Sequence, residues 1–247
     1  MSENNSLFYP TDDTKLNIAR GLVRKTVSLF KFGFNDTVGT AYETIWDGGG
    51  TYTYPTVANT VVVTSDGAAN DSGVKVTVSG LDANYADLSE EVTLNASGTA
   101  TTGNTFIRVF RSFNSGSTEM NSDSDDMVLT HSGTTVAQFK GEHNQTLMAV
   151  YTVPAGKTFY MKKFIASSHV GTGNVFNTIK IIDKKPNGVF RTQFIFGMKD
   201  QFDVQEFDVP LKFTEKTDIE IRAKTSAGDT DVSASFEGVI YDDPEYT

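Results

Sequence analysis

From Val23 onward, apolar side chains recur at every second position, and this period decides the fold class. In the run 24–34, Ser28, Phe30, Phe32 and Phe34 share one side of an extended chain, while Val27, Leu29 and Lys31 share the other. Strand-like runs follow at 42–47, 59–64, 73–80, 88–94 and 105–113, then at 126–131, 134–142, 146–153, 157–168, 174–183, 188–198, 202–213, 217–224 and 231–241. Turn chemistry separates them: Gly48-Gly49-Gly50, Asp66-Gly67, Val153-Pro154-Ala155-Gly156 and Lys185-Pro186-Asn187-Gly188. Helical character is confined to a short stretch around Thr14–Arg20, with Asp12 or Asp13 as its N-cap. Composition agrees. The chain has 32 Thr, 23 Val and 18 Phe against 10 Leu, and branched or flat side chains suit a pleated surface better than a helix. The expectation is an all-β protein of two antiparallel β-sandwich domains, the C-terminal one jelly-roll-like, with an extended N-terminal arm.

The longest polar break after the arm, at 114–126, is read as the boundary. The expected organisation is therefore an arm over 1–22, a small β-sandwich or hairpin-rich domain over 23–113, a linker over 114–126, and a jelly-roll-like sandwich over 127–247. Eight or nine antiparallel strands in the last segment suit a jelly roll.

Charge is uneven. The 247 residues carry a net charge of -10, yet Lys15, Arg20, Arg24, Lys25 and Lys31 fall between positions 14 and 35 with no acid among them. The aromatic pair Phe8 and Tyr9 precedes Pro10 just upstream. Two readings stand side by side: the basic arm folds back on its own acidic body, or these seven residues form a docking segment for an acidic partner surface. The acidic balance elsewhere argues against a nucleic-acid partner. The absence of an 18-residue apolar run predicts no membrane span, and the first residues do not read as a signal peptide.

Little catalytic chemistry is on offer. With no cysteine, a disulfide framework, a thiolate zinc site and a cysteine nucleophile are excluded. His131, His143 and His169 lack the spacing that would place two imidazoles on one metal. The acid pairs Glu90-Glu91, Asp125-Asp126 and Asp242-Asp243 would point to opposite faces of a strand, so they do not make a glycosidase pair. Residues 121–126 begin like a calcium loop, with Asn121, Asp123 and Asp125 at the first three ligand positions. Asp126 replaces the loop's glycine and Ser132 replaces its closing glutamate. Asp123 and Asp125 are thus a weak calcium candidate, and no metal or cofactor is assigned. No phosphate loop, HExxH or GxSxG occurs. Trp46 reads as a core or interface anchor.

Two stretches, 61–117 and 144–164, resemble a family of virion structural proteins of tailed bacteriophages, especially marine ones. The shared features are the hairpin Val78-Ser79-Gly80-Leu81-Asp82, the run Glu91-Val92-Thr93-Leu94-Asn95, the strand Phe106-Ile107-Arg108-Val109, and the segment from Gln145 to Thr158. The resemblance spans about residues 59–166. Its motifs are turns and strand faces and carry no active site. It implies a non-enzymatic particle component assembled in the host cytoplasm, where disulfides are not an option. The expected role is a capsid decoration, cement or head-fibre protein on the capsid exterior, partnered by the major capsid protein or another virion protein. The alternative is a tail or fibre component that binds a host-surface glycan. The phenylalanine count exceeds what two small cores need, which points to subunit contacts and a homo-oligomer, expected as a trimer.

Overall fold

The computed structural model describes residues 13–169, 175–199 and 201–242. Strand accounts for 57% and helix for 4%, so the all-β expectation holds. A single helical turn and a half, α1 (Thr14–Ala19), opens the described chain. The Asp13 carboxylate caps it, accepting from the Lys15 and Leu16 amides at 2.9 and 3.1 Å. In chain order the strands are β1 (Thr26–Val38), β2 (Glu43–Thr44), β3 (Val61–Ser65), β4 (Lys75–Leu81), β5 (Asp87–Thr93), β6 (Thr99–Thr101), β7 (Arg108–Asn114), β8 (Asp126–His131), β9 (Thr134–Lys140), β10 (Val150–Thr152), β11 (Lys157–His169), β12 (Asn177–Lys184), β13 (Arg191–Met198), β14 (Phe202–Phe213), β15 (Asp218–Thr225) and β16 (Thr230–Asp242).

These strands make four antiparallel sheets in two groups. The first group holds the sheet β1-β16-β11-β14 and the sheet β10-β15-β12-β13, with β2 added beside β15. Between them lies one core of Val38, Ile45, Phe159, Met161, Phe164, Ile179, Ile181, Ile221, Val232 and Phe236. The short strands β2 and β10 both pair with β15, so they act as two halves of one strand. Counted that way, the two sheets read 1-8-3-6 and 2-7-4-5, which is jelly-roll order. The second group holds the sheets β6-β3-β8-β9 and β5-β4-β7. Its separate core includes Val61, Val63, Val76, Val78, Phe106, Met127, Leu129 and Phe139.

The pairing does not follow the division expected at 114–126. Strand β1, expected in the first domain, pairs along its length with β16 at the far end of the chain. Strands β8 and β9, expected in the second, join β3. The polar stretch after β7 is a loop within the second group, and the whole of β3–β9 is inserted between the two halves of one jelly-roll strand. The physical reason is that period-two alternation specifies faces, not partners. The arm also departs from an extended form, because α1 folds and buries Ile18.

The two chain crossings into the insertion lie side by side. Trp46 bridges Met148, the Ala149 amide donates to the Ile45 carbonyl at 2.9 Å, and the Leu147 amide donates to Asp47 at 2.7 Å. β1 crosses directly over this neck at Gly33. A Cβ there would lie 2.2 Å from the Ile45 oxygen and 2.4 Å from the Ala149 nitrogen, so no larger residue fits.

Candidate docking surface

The register of the β1-β16-β11-β14 sheet sets out its outer face in three rows. The first runs Phe34, Ser233, Ser167, Phe202; the second runs Phe32, Ser235, Ile165, Val204; the third runs Phe30, Glu237, Lys163, Glu206. Sheets with one solvated face normally place polar residues there. Here Phe30 and Phe202 are 57% and 67% exposed. Phe30 stacks on Phe32 with ring centroids 5.7 Å apart. A ridge of phenylalanines along β1 thus borders a column of serines on β16. The third row is an ion cluster, with the Lys163 ammonium 3.3 Å from Glu237 and 3.6 Å from Glu206. Its hydrogen bond to Glu237, followed by the attraction of that carboxylate, lifts the Lys163 pKa above the usual lysine value.

At the charged end of this face lies a groove of about 550 Å³, lined by α1 and all four strands. Lys15 and Ile18 line it from α1, with Lys162, Glu206, Asp208 and Glu237 opposite. The basic arm and the acidic body therefore meet here, as the fold-back reading expects for Lys15. Arg20 stands exposed at the C-terminus of α1, with its amide donating to the Leu16 carbonyl at 2.9 Å. Arg24 and Lys25 are exposed in the turn before β1, and the Lys25 carbonyl accepts from the Asp242 amide at 3.0 Å. Leu16, on α1, is 46% exposed beside them.

Lys31 parts from this group. It sits on the inner side of β1, buried, with its ammonium donating to the Phe110 carbonyl of β7 and lying 5.7 Å from the Phe110 ring centroid. Burial first, and then the nearby Arg111 charge, pull its pKa down to about 7. It cannot serve a surface docking segment. Phe8 and Tyr9 lie outside the described residues.

A buried polar junction between the insertion and the jelly roll was not singled out as a site by the sequence. Arg108 of β7 makes a two-pronged ion pair with Asp218 of β15, at 2.8 and 3.0 Å. Its remaining donors reach the Pro55 and Ile107 carbonyls. The guanidinium lies over Tyr54 at 5.2 Å and Tyr85 at 5.4 Å. Thr152 also donates to Asp218, at 2.7 Å. Burial alone would lower the Arg108 pKa, but hydrogen bonding and attraction to Asp218 outweigh it and leave the pKa raised. Beside it, Glu220 is fully buried, accepts from Thr44, and pairs with Arg222 at 2.7 Å. The signal for this junction was Arg108 itself, an arginine in an otherwise apolar strand run. Every contact it makes is internal, so its part is structural.

The remaining candidates do not assemble. Asp123 and Asp125 sit in the loop before β8, where their carbonyls accept from Glu142 and Gly141 at 3.0 and 2.9 Å. Burial and the neighbouring Asp71 and Asp66 charges raise the Asp125 pKa. Among the described residues, no group of three or more His, Asp or Glu is placed to hold a metal ion. His131 is buried, with Nε2 at 3.0 Å from the Phe106 carbonyl, rather than standing at an exposed strand edge. Glu90 accepts from the Gly103 and Asn104 amides at 2.6 and 2.9 Å, a loop clamp. Trp46 is buried at the neck and donates to Gly49 at 2.8 Å.

No protein-family model and no curated protein matches the chain. Among solved structures, it is weakly similar to a chain of the infectious bursal disease virus Gt strain, with 12% identity over 90% of this chain and 74% of that one, at a TM-score of 0.25. For the Gx strain the values are 13%, 90%, 73% and 0.27. For the VP2 subviral particle of the same virus they are 13%, 87%, 72% and 0.23. None of these is a tailed-phage protein.

Proposed function

We propose that this chain is a non-enzymatic virion structural protein of a tailed phage, acting as a capsid decoration, cement or head-fibre protein that docks to the capsid exterior. The observation that carries the reading is the exposed basic cluster of Lys15, Arg20, Arg24 and Lys25 on an acidic chain, set beside exposed Leu16 at one end of an apolar sheet face. The resemblance over about residues 59–166 supports the same role. The major capsid protein or another virion protein is the partner, and copies close into a homo-oligomer, expected as a trimer.

Charge alone is too weak for attachment, since an exposed ion pair gives about 0.2–1 kcal/mol. Leu16 with Phe8 and Tyr9 supplies apolar burial at roughly 25 cal/mol per Å². The test is binding of purified protein to undecorated particles. Deleting residues 1–20 should leave the circular dichroism of the β domains intact and abolish incorporation. Charge reversal at Arg24 and Lys25 should weaken binding more at low salt than at high salt, because screening already removes the effect at high salt. Full-occupancy decoration by the truncated protein would place attachment elsewhere and overturn the reading.

A further inference from the structure

The uncharged part of the outer sheet face has no role in the docking just described. Phe34, Ser233, Ser167 and Phe202, followed by Phe32, Ser235, Ile165 and Val204, make two complete rows across four strands without one ionisable side chain. This occurs on a chain of net charge -10. We propose that this face is a two-fold contact between two copies of the chain, with the Phe30-Phe32-Phe34 ridge of each seated in the serine column of the other.

The shape argues for a second copy. Adjacent strands lie about 4.8 Å apart, so the ridge on β1 runs directly beside the column of Ser233 and Ser235 on β16. A two-fold axis normal to the sheet, passing between those strands, places ridge on trough and trough on ridge at once. That is the self-complementarity an isologous contact requires. The trough can accept aromatic rings without stranding polar groups, because the Ser167 and Ser233 hydroxyls bond to each other at 2.7 Å. Charge argues the same way. Two copies of an acidic chain repel over most of their surface, and here they meet without opposing carboxylates. The adjoining Lys163 is flanked by Glu237 and Glu206 within its own sheet.

Area sets the strength. Four strands and two to three rows present roughly 300 Å² per copy from the strand spacing and rise. The total of about 600 Å² is well below the roughly 1,200–2,000 Å² of a stable complex. The contact therefore forms at high protein concentration, or where copies are already held close together. It joins units pairwise and is additional to any threefold closure.

The test uses the full chain in sedimentation velocity across a concentration series reaching the millimolar range. The expected result is a reversible step that doubles the mass of the unit present in dilute protein, and that strengthens with salt because repulsion between acidic copies is screened. Ser235→Glu, at a half-exposed position in the trough, should weaken the step at least tenfold. Val57→Glu, at a 71% exposed position on the insertion, should leave it unchanged. Because the chain has no cysteine, a single Ser235→Cys provides a second readout that introduces no charge. Oxidation should give a covalent pair at concentrations where Val57→Cys gives none. Absence of the doubling step at millimolar protein would overturn the proposal, and so would equal cross-linking of the two cysteine variants.

Discussion

Two buried ionisable side chains, one on each side of the neck, titrate near neutrality. Burial raises the Asp47 carboxyl from 3.8 to about 7, against the opposing pull of the Leu147 amide and Lys140; Asp36 and Asp126 add to the rise. Burial and Arg111 lower the Lys31 amine from 10.5 to about 7. For Asp47, the folded chain holds more protons than the unfolded chain between pH 3.8 and 7, so its contribution to stability is full in acid and lost as pH rises through 7. For Lys31, the folded chain holds fewer protons between 7 and 10.5, so its contribution is full in alkali and lost as pH falls through 7. Together they predict a dip in stability near pH 7. Melting temperatures measured from pH 4.5 to 9.5 should show it. Asp47→Asn should flatten the acid limb and Lys31→Met the alkaline limb. Parallel curves for wild type and both variants would refute the assignment. Lys31 also shows the limit of reading residues from sequence. Alternation correctly put it on the same strand side as Leu29 and opposite the phenylalanines. Both sides of β1 carry apolar residues, however, so alternation could not say which side the core takes. The core took the lysine's side and left the phenylalanines outward.

At the scale of elements, most strands were legible and their interruptions were not. The runs around β1, β11, β14 and β16 matched to within a few residues, because long alternating segments of Val, Thr and Phe have little else to become. The two-residue β2 and three-residue β10 were merged into longer runs, since a strand cut in half by an insertion leaves no local mark. The bulge in β11 was equally hidden. Register shifts there between Met161 and Lys163, opposite Gly238 of β16. A Cβ on Gly238 would lie 2.0 Å from the Tyr160 oxygen and 2.8 Å from the Phe159 ring. Gly238→Ala must push backbone apart in the central pair of the sheet, and should cost about 1–3 kcal/mol, visible as a clear fall in melting temperature. Gly197→Ala is the matched control, because a Cβ there would meet only the Asn177 oxygen at 3.7 Å. Equal melting of the two variants would mean that the bulge yields freely.

At the scale of the molecule, the question is whether the inserted sheets and the jelly roll behave as one folding unit. Each has its own core, and only two crossings join them covalently. Three sets of contacts oppose independent behaviour: Lys31 on Phe110, the Tyr52 hydroxyl donating to the Val109 carbonyl at 3.0 Å, and the Arg108–Asp218 pair. The ion pair dominates, because both partners are almost fully buried, at 8% and 3% side-chain exposure. Removing one member of such a pair leaves an uncompensated charge in a dry junction, at a cost of about 3–5 kcal/mol, whereas replacing both by apolar groups can be close to neutral. Arg108→Met strands Asp218 together with the hydroxyl of Thr152, and should loosen the junction more than either core. In calorimetry the wild type should give one cooperative transition. Arg108→Met should either lower it by several degrees or split it in two, with the inserted sheets and the jelly roll melting separately. Arg108→Met combined with Asp218→Leu should recover part of the loss and restore a single transition, since no charge is then left buried. If Arg108→Met melts as one transition at the wild-type temperature, the junction is held by the tyrosines and the chain crossings instead, and the ion pair is incidental to cooperativity.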